Sequence, residues 1–274
     1  MGEQEKNMPT ISVIMGVYNC KDFELLRKSV KSIINQSYTD WEFIICNDGS
    51  TNNTLQELNN ISKLDSRIKI LSYDVNKGLE YALNTCLEVA KGEYVARQDD
   101  DDESYPNRFE REIDFLMNNH EYSWVSTIAD VYDNDGIYGE YRLLATPDKH
   151  SFLWSNPFLH PSVIFRRTAL ESVGGYRIAK EVKRLEDYDL FMRMYAIGMK
   201  GYNIQEKLYK YKVQRDLKKK YRSMRDRINE AKVRYRGFKE MGILGKGIPY
   251  IAKPIILGLI STKLFNKITE KKYK

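Results

Sequence analysis

Short apolar, β-branched runs alternate with segments whose apolar residues recur at three- and four-residue spacing through the first hundred residues. Residues 11–18 (ISVIMGVY) predict a buried parallel strand, and Phe23, Leu26, Val30, Ile33 and Ile34 follow at helical spacing. Residues 41–46 (WEFIIC) predict a second strand, closed by the turn signal Asn47-Asp48-Gly49-Ser50. Thr54 to Leu64 reads as helix, 68–73 (IKILSY) as a third strand, and 78–90 as a helix with Leu79, Leu83, Leu87 and Ala90 on one face. Residues 93–97 (EYVAR) predict a fourth strand that runs into Gln98-Asp99-Asp100-Asp101-Asp102. This alternation predicts an α/β fold, a mostly parallel sheet flanked by helices. Ligands in such sheets bind beyond the carboxyl ends of the strands. Three polar clusters fall there: Tyr18-Asn19, Asn47-Asp48 and Asp99 to Asp102.

After residue 120 the pattern changes. Residues 122–132 and 137–144 read as a strand pair joined by Asn134-Asp135-Gly136, and 161–166 (PSVIFR) as another short strand. Gly174-Gly175 marks a turn, and 186–197 a helix with Leu190, Met194 and Ile197 inward. From 216 on, Leu217, Tyr221, Met224, Ile228, Ala231, Tyr235 and Phe238 form one narrow apolar stripe on a basic helix that Gly242 ends. Residues 243–265 are apolar but interrupted by Pro249, Pro254, Lys246, Lys253 and Lys263. The nine uncharged residues between the last two lysines are too few to span a bilayer.

Charge sharpens this division. The net of +6 combines residues 1–206, with 23 Lys and Arg against 33 Asp and Glu, and residues 207–274, with 21 against 5. So asymmetric a chain has different partners for its two parts. Hydrophobic residues at 42% and charged residues at 30% describe a globular chain and exclude collagen-like, disulfide-scaffold and multi-span membrane classes. The widely spaced Cys20, Cys46 and Cys86 form no CxxC and are expected to be reduced, buried thiols in a cytosolic protein. The first residues, MGEQEKNMPT, carry no apolar signal core.

Four adjacent carboxylates at a strand end repel one another unless a cation sits among them, and alternate residues of an extended segment, Asp99 and Asp101, could reach one ligand together. Their hard oxygens suit Mg2+ or Mn2+; the other reading is a solvated acidic loop. Asn47-Asp48-Gly49-Ser50 is by itself ordinary turn chemistry. Glu186-Asp187 at a helix start equally suits the helix dipole, Asp189 and Arg193 a surface pair, and His160 before Pro161 a satisfied core or loop histidine. No GxGxxG, Walker A, HExxH or GxSxG sequence is present, which removes the main support for nicotinamide, NTPase, metalloprotease and α/β-hydrolase readings.

Taken in order, these segments resemble the inverting glycosyltransferases of family 2, with the GT-A fold. The resemblance runs through ISVIMGVYN (11–19), ICNDGSTNNT (45–54), NKGLEYALN (76–84), GEYVARQDDDD (92–102), YPNRFERE (105–112), HPSVIFRR (160–167), GGYR (174–177) and EDYDLFMR (186–193), and covers roughly 10–213. It implies that Asp48 hydrogen-bonds the donor base, usually uracil. It implies a DxD pair in which Asp101 ligates the metal and Asp99 lies nearer the ribose. Tyr18, Asn19, Lys77, Gly78 and Arg97 match positions lining the donor site, Asp187 the catalytic base with Glu186 its neighbour, and His160 the start of the acceptor wall. Asp100 departs from the small spacer usual in DxD, and the stretch after Tyr211 (KVQRDLKKK) replaces the histidine-containing loop common in relatives.

The expectation is a GT-A domain over 1–213 and a basic amphipathic helical tail over 214–274. The resemblance implies a metal-dependent, inverting hexosyltransferase using Mn2+ or Mg2+. It is expected to move a sugar from a UDP-sugar donor to a lipid-linked saccharide acceptor in surface polysaccharide synthesis. The basic and apolar tail suits an anionic membrane surface, placing the chain in the cytoplasm, peripheral at the inner face of the cell membrane. Two rival readings are a nucleic-acid-binding protein using the tail and a sugar-phosphate nucleotidyltransferase. The first is disfavoured by Ile255, Ile256, Leu257, Leu259 and Ile260, which serve no phosphate contact, so no nucleic-acid partner is expected. The second needs a Gly-rich basic loop where Tyr18-Asn19-Cys20 stands.

Overall fold

The computed structural model describes residues 10–215 and 223–259, so the expectations for residues 1–9, Leu217, Tyr221, Ile260 and Lys263 lie outside the described residues. The chain forms two compact units, one of Met1–Pro147, Pro157–Tyr176 and Met199–Gln214, the other of Asp148–Asn156, Arg177–Gly198 and Arg215–Lys274. The limits of these units differ from the expected boundary at 213/214: residues 148–156 and 177–198 group with the tail.

The first unit is a sheet flanked by helices. Its strands are β1 (Ile11–Val17), β2 (Trp41–Asp48), β3 (Ile68–Tyr73), β4 (Tyr94–Arg97), β5 (Glu103–Ser104), β6 (Trp124–Asp133), β7 (Gly136–Tyr141), β8 (Ile164–Arg166) and β9 (Gly201–Lys212). They lie in the order β3-β2-β1-β4-β8-β6-β9-β5, with β7 on β6. β1, β2, β3 and β4 are mutually parallel, with Val13 opposite Phe43 and Ala96, so their carboxyl ends share one edge. β8 runs antiparallel to β4 and to β6, and β6 pairs parallel with β9. Helices α1 (Phe23–Ile34), α2 (Thr54–Ile61), α3 (Leu79–Val89), α4 (Arg108–Asn118) and α5 (Arg167–Ser172) complete the unit. Val13, Met15, Phe43 and Ile45 of the strands pack with Leu26, Val30 and Ile33 of α1 and Ile113 and Leu116 of α4 into one core. Burial of that apolar face, rather than helix propensity, holds the layers together.

β9 is absent from the sequence reading because Glu206, Lys207, Lys210 and Lys212 make it look like a loop. Cross-strand charges explain the strand: Lys207 Nζ meets Asp130 at 2.9 Å and Glu140 at 2.6 Å, and Lys210 Nζ meets Glu103 at 3.5 Å. The expected strand at 161–166 is shorter, because His160–Ser162 form a 3-10 turn. The three cysteines are free and buried, as expected.

The second unit contains α6 (Glu186–Ala196), α7 (Met224–Glu240) and α8 (Leu244–Leu259). Ser223 caps α7, its hydroxyl accepting from Asp226 N while the Asp226 carboxylate accepts from Ser223 N, and Gly242 follows the helix at φ +72°. Its buried side is Arg227, Ala231, Val233, Arg234, Gly237 and Phe238. Of the expected stripe only Ala231 and Phe238 face inward; Met224, Ile228 and Tyr235 are exposed. Gly237 is required there, since a Cβ would stand 2.3 Å from Met192 Sδ. Ile197, expected inward, caps α6 and is exposed. Asp189 and Arg193 do pair, at 2.8 Å, but inside the unit rather than on its surface, where Arg177 and Arg236 also approach Asp189. No described helix is long and apolar enough to cross a membrane.

Candidate active site

In the first unit the expected donor residues gather at the carboxyl ends of β1, β2 and β4. Asp48 ends β2, and its carboxylate accepts four hydrogen bonds: from Tyr73 OH (2.7 Å), Asn76 Nδ2 (2.6 Å), Lys77 N (2.8 Å) and Gly78 N (3.0 Å). All its lone-pair directions are thereby taken, so Asp48 clamps the loop before α3, and a nucleotide base reaching it would share or displace one of these donors. Gly49 makes the approach possible: at φ +63° a Cβ would lie 2.4 Å from the backbone of Val75 and Asn76. Gly78, at φ +105°, opens α3. Lys77 Nζ reaches Tyr81 OH at 3.1 Å and lies over the rings of Tyr73 and Tyr81.

Asn19, at φ +45°, stitches β1 to the β2 turn: its N donates to Ser50 Oγ (2.9 Å) and its Oδ1 accepts from Thr51 N (2.8 Å). Tyr18 beside it is about half exposed. Asn19 thus fixes the turn after β1 against the turn after β2, while Tyr18 offers an aromatic face.

The acidic loop after β4 is pinned through its backbone. Ser29 Oγ donates to Asp99 O (2.7 Å), Gln98 Nε2 to Asp102 O (3.1 Å) and Tyr132 OH to Asp101 O (3.1 Å), and Asp99 N donates to Tyr209 OH (3.4 Å). Asp102 is buried and its carboxylate accepts from Lys212 N at 2.7 Å. Arg97, fully buried, donates to Gln98 O at 2.6 Å and pairs with the Asp99 carboxylate. The carboxyls of Asp99, Asp100 and Asp101 are left crowded together. Burial first, then Asp101 and Asp99, push Asp100 up to about 7. Asp101 is exposed, yet its carboxyl is also raised, by partial withdrawal from water and then by Asp99. Cys20 lies near enough that burial and then Asp100 push its thiol up to about 11.

Among the described residues no group of three or more His, Cys, Asp or Glu side chains is arranged to hold a metal ion. The hard oxygens of Asp99 and Asp101 suit a Mg2+-type site, in which one or two carboxylates bind the ion and substrate phosphates and water complete the shell.

His160 is buried, with Nε2 2.8 Å from Tyr176 OH, and burial followed by the Arg97 charge holds its imidazole well below the usual range. Its ring sits in the interior beside Tyr176, as a satisfied core histidine does. Ser29, Gln98, Asn76, Tyr209 and Lys212 escaped the sequence reading. Of these, Gln98 and Asn76 stood inside quoted motifs, and the others act through contacts distant in sequence that no local pattern marks.

Glu186 and Asp187 belong to the second unit and open α6, where carboxylates favour the helix dipole. Asp187 Oδ1 accepts from Tyr188 N and Oδ2 from Asn156 Nδ2, both at 2.7 Å. These hydrogen bonds orient the half-buried carboxylate, a group of the kind that can take a proton from a hydroxyl. Tyr188 in turn donates to Phe152 O and accepts from Arg234 Nη1 (3.1 Å), which ties the start of α6 to residues 152–154 and to α7.

A parallel half-sheet flanked by helices, with Asp48 and the Asp99–Asp102 loop at the carboxyl ends of its strands, is the plan of a GT-A glycosyltransferase. The chain belongs to glycosyltransferase family 2, whose profile, "Glycosyl transferase family 2", matches residues 12–174. It is 37% identical over 265 residues to EpsE of Bacillus subtilis, a protein named as a glycosyltransferase, covering 96% of this chain and 94% of that one. It is 30% identical over 237 residues, 84% of each chain, to an Escherichia coli UDP-Gal:alpha-D-GlcNAc-diphosphoundecaprenol beta-1,3-galactosyltransferase. Its fold matches that of S. aureus TarS 1-349 in complex with UDP-GlcNAc, with a TM-score of 0.68, 17% identity, and 89% of this chain and 73% of that chain covered.

Proposed function

We propose that this glycosyltransferase moves a sugar from a UDP-sugar to a hydroxyl of a lipid-linked saccharide, with inversion, in the synthesis of a surface polysaccharide. The observation that carries the reading is the loop Asp99–Asp102, rigid in its backbone and crowded in its carboxyls. Asp101, with Asp99 beside it, would hold Mn2+ or Mg2+, which would supply Lewis-acid stabilisation to the departing diphosphate. Arg97 sets the Asp99 carboxylate, and Tyr18, Asn19, Lys77 and Gly78, with the clamp of Asp48, shape the nucleotide's bed. The acceptor hydroxyl attacks the anomeric carbon as Asp187 takes its proton. The bond from that carbon to the diphosphate oxygen breaks, and single displacement inverts the centre. Glu186 is its acidic neighbour on α6.

The UDP-GlcNAc complex of TarS and the diphosphoundecaprenol acceptor of the Escherichia coli relative support the donor and acceptor classes. Exposed Met224, Ile228, Ile255, Ile256 and Leu259 on a basic tail support a chain lying on an anionic membrane surface at the cytoplasmic face. The direct test is a thermal-shift panel of nucleotides and nucleotide sugars with and without Mn2+. UDP compounds should raise the melting temperature only with the metal. Indifference to every nucleotide would overturn the reading.

A further inference from the structure

Asp187 lines a cavity of about 400 Å³ formed wholly by the second unit, a size suited to a small-molecule group. Its lining brings Arg184 from the segment before α6, Arg227 from α7 and Lys253 from α8 to the same hollow as the proposed base. Arg234 also lines it, pairing with Glu230 at 3.0 Å and donating to Leu153 O (3.0 Å) and Trp154 O (3.2 Å), and the buried Arg227 donates to Pro254 O at 3.4 Å. The lining thus carries four cationic side chains against two anionic ones, Asp187 and Glu230. Cations around a general base lower its basicity, which is a disadvantage if the acceptor brings only neutral hydroxyls. They become an advantage when the acceptor itself is an anion that neutralises them and is positioned by them.

The other part of the lining is apolar. Trp154, 64% exposed, and Leu257 flank the cations, and Lys253 Nζ lies 4.6 Å from the centre of the Trp154 ring. Arg184 is held at φ +66°, a left-handed conformation that costs a non-glycine residue about 1 kcal/mol or more and is kept where a site needs it. Paired cations beside an aromatic and aliphatic wall match a diphosphate joined to a hydrocarbon chain. We propose that this cavity binds the lipid diphosphate of the acceptor, with Arg184, Arg227 and Lys253 on the phosphates and Trp154 and Leu257 against the first carbons of the lipid. The inference rests on the lipid-linked acceptor of the proposed function and assigns that acceptor its binding residues. It also makes the basic tail part of the acceptor site.

The test titrates the full chain with farnesyl diphosphate, farnesol and inorganic pyrophosphate, read by tryptophan fluorescence and calorimetry. Trp41 and Trp124 are buried, so the fluorescence change reports Trp154. Farnesyl diphosphate should bind at least about tenfold more tightly than either of its halves. Arg184→Gln, at an exposed position, and Lys253→Gln, at a partly exposed one, should each weaken it about tenfold, the loss of one charged contact. Saturating UDP with Mn2+ should leave it bound, and both variants should keep the UDP-dependent thermal shift. Equal affinity for farnesol, unchanged affinity in both variants, displacement by UDP, or displacement by phosphatidylglycerol vesicles would each overturn the assignment. Absence of the UDP response in the unmodified chain would instead overturn the donor reading, and the two failures are read on separate signals.

Discussion

At the scale of single residues, the proposed chemistry turns on how Asp187 is held. Its two oxygens take hydrogen bonds from Tyr188 N and Asn156 Nδ2, so rotation of the carboxyl is restrained before any acceptor arrives. Asp187→Asn keeps the shape and removes the base. It should lower kcat about a thousandfold, within the range general bases contribute, while the UDP-dependent thermal shift stays. Asn156→Ala removes only the orientation and should lower kcat about tenfold, with no change in donor binding. Both are checked by UDP release under saturating donor, and retained turnover in Asp187→Asn would place the base elsewhere. Asp187 was legible in the sequence as a carboxylate at a helix start, within a family motif. Asn156 was not, because its partner lies 31 residues away and nothing periodic marks it. Asp48 shows the same limit: its place at a strand end was readable, but its four donors, Tyr73 at the end of β3 and three in the loop that follows, are brought to it only by the fold.

At the scale of elements, the parallel strands β1 to β4 and their helices were readable because each is apolar on the faces it buries. β9 was not, because its exposed face is charged and its charges are met by β5, β6, β7 and α4, all distant in sequence. The helix α6 was readable by its period, but not the depth of its polar residues. An i, i+4 pair of Asp189 and Arg193 looks like surface chemistry, yet Asp189 is 3% exposed and approached by Arg177 (3.1 Å), Arg193 (2.8 Å) and Arg236 (3.9 Å). One buried carboxylate therefore ties α6 to α7 and to the segment before α6. Asp189→Asn would remove the anion these arginines share, an effect of about 3 kcal/mol for a buried pair broken on one side. The prediction is a lower urea midpoint with an unchanged slope. A midpoint within error of the parent would mean that water replaces the carboxylate at no loss.

At the scale of the whole molecule, the charge division acquires a structural correlate. The acidic part contains the sheet and its crowded aspartates, and the basic part contributes α7 and α8 to the unit that holds Asp187. On those helices Ile228 is 41% exposed, Tyr235 50% and Ile256 56%. Exposed apolar residues on a helix rich in Lys and Arg suit the boundary of an anionic bilayer, where hydrocarbon enters and the cations meet headgroups. A tail meant only to be solvated has no use for these apolar side chains, and a nucleic-acid binder would use the cations alone. The full chain should co-sediment with vesicles containing phosphatidylglycerol and much less with phosphatidylcholine alone. Raising salt should weaken but not abolish the association, because only its electrostatic part is screened. Ile228→Gln combined with Tyr235→Gln removes apolar contact without changing charge, and should reduce vesicle binding while leaving the UDP-dependent thermal shift intact. Vesicle binding unaffected by the double variant, or abolished entirely by salt, would reduce the tail to a purely electrostatic contact. Equal affinity for duplex DNA or RNA would do the same and would reopen the nucleic-acid alternative.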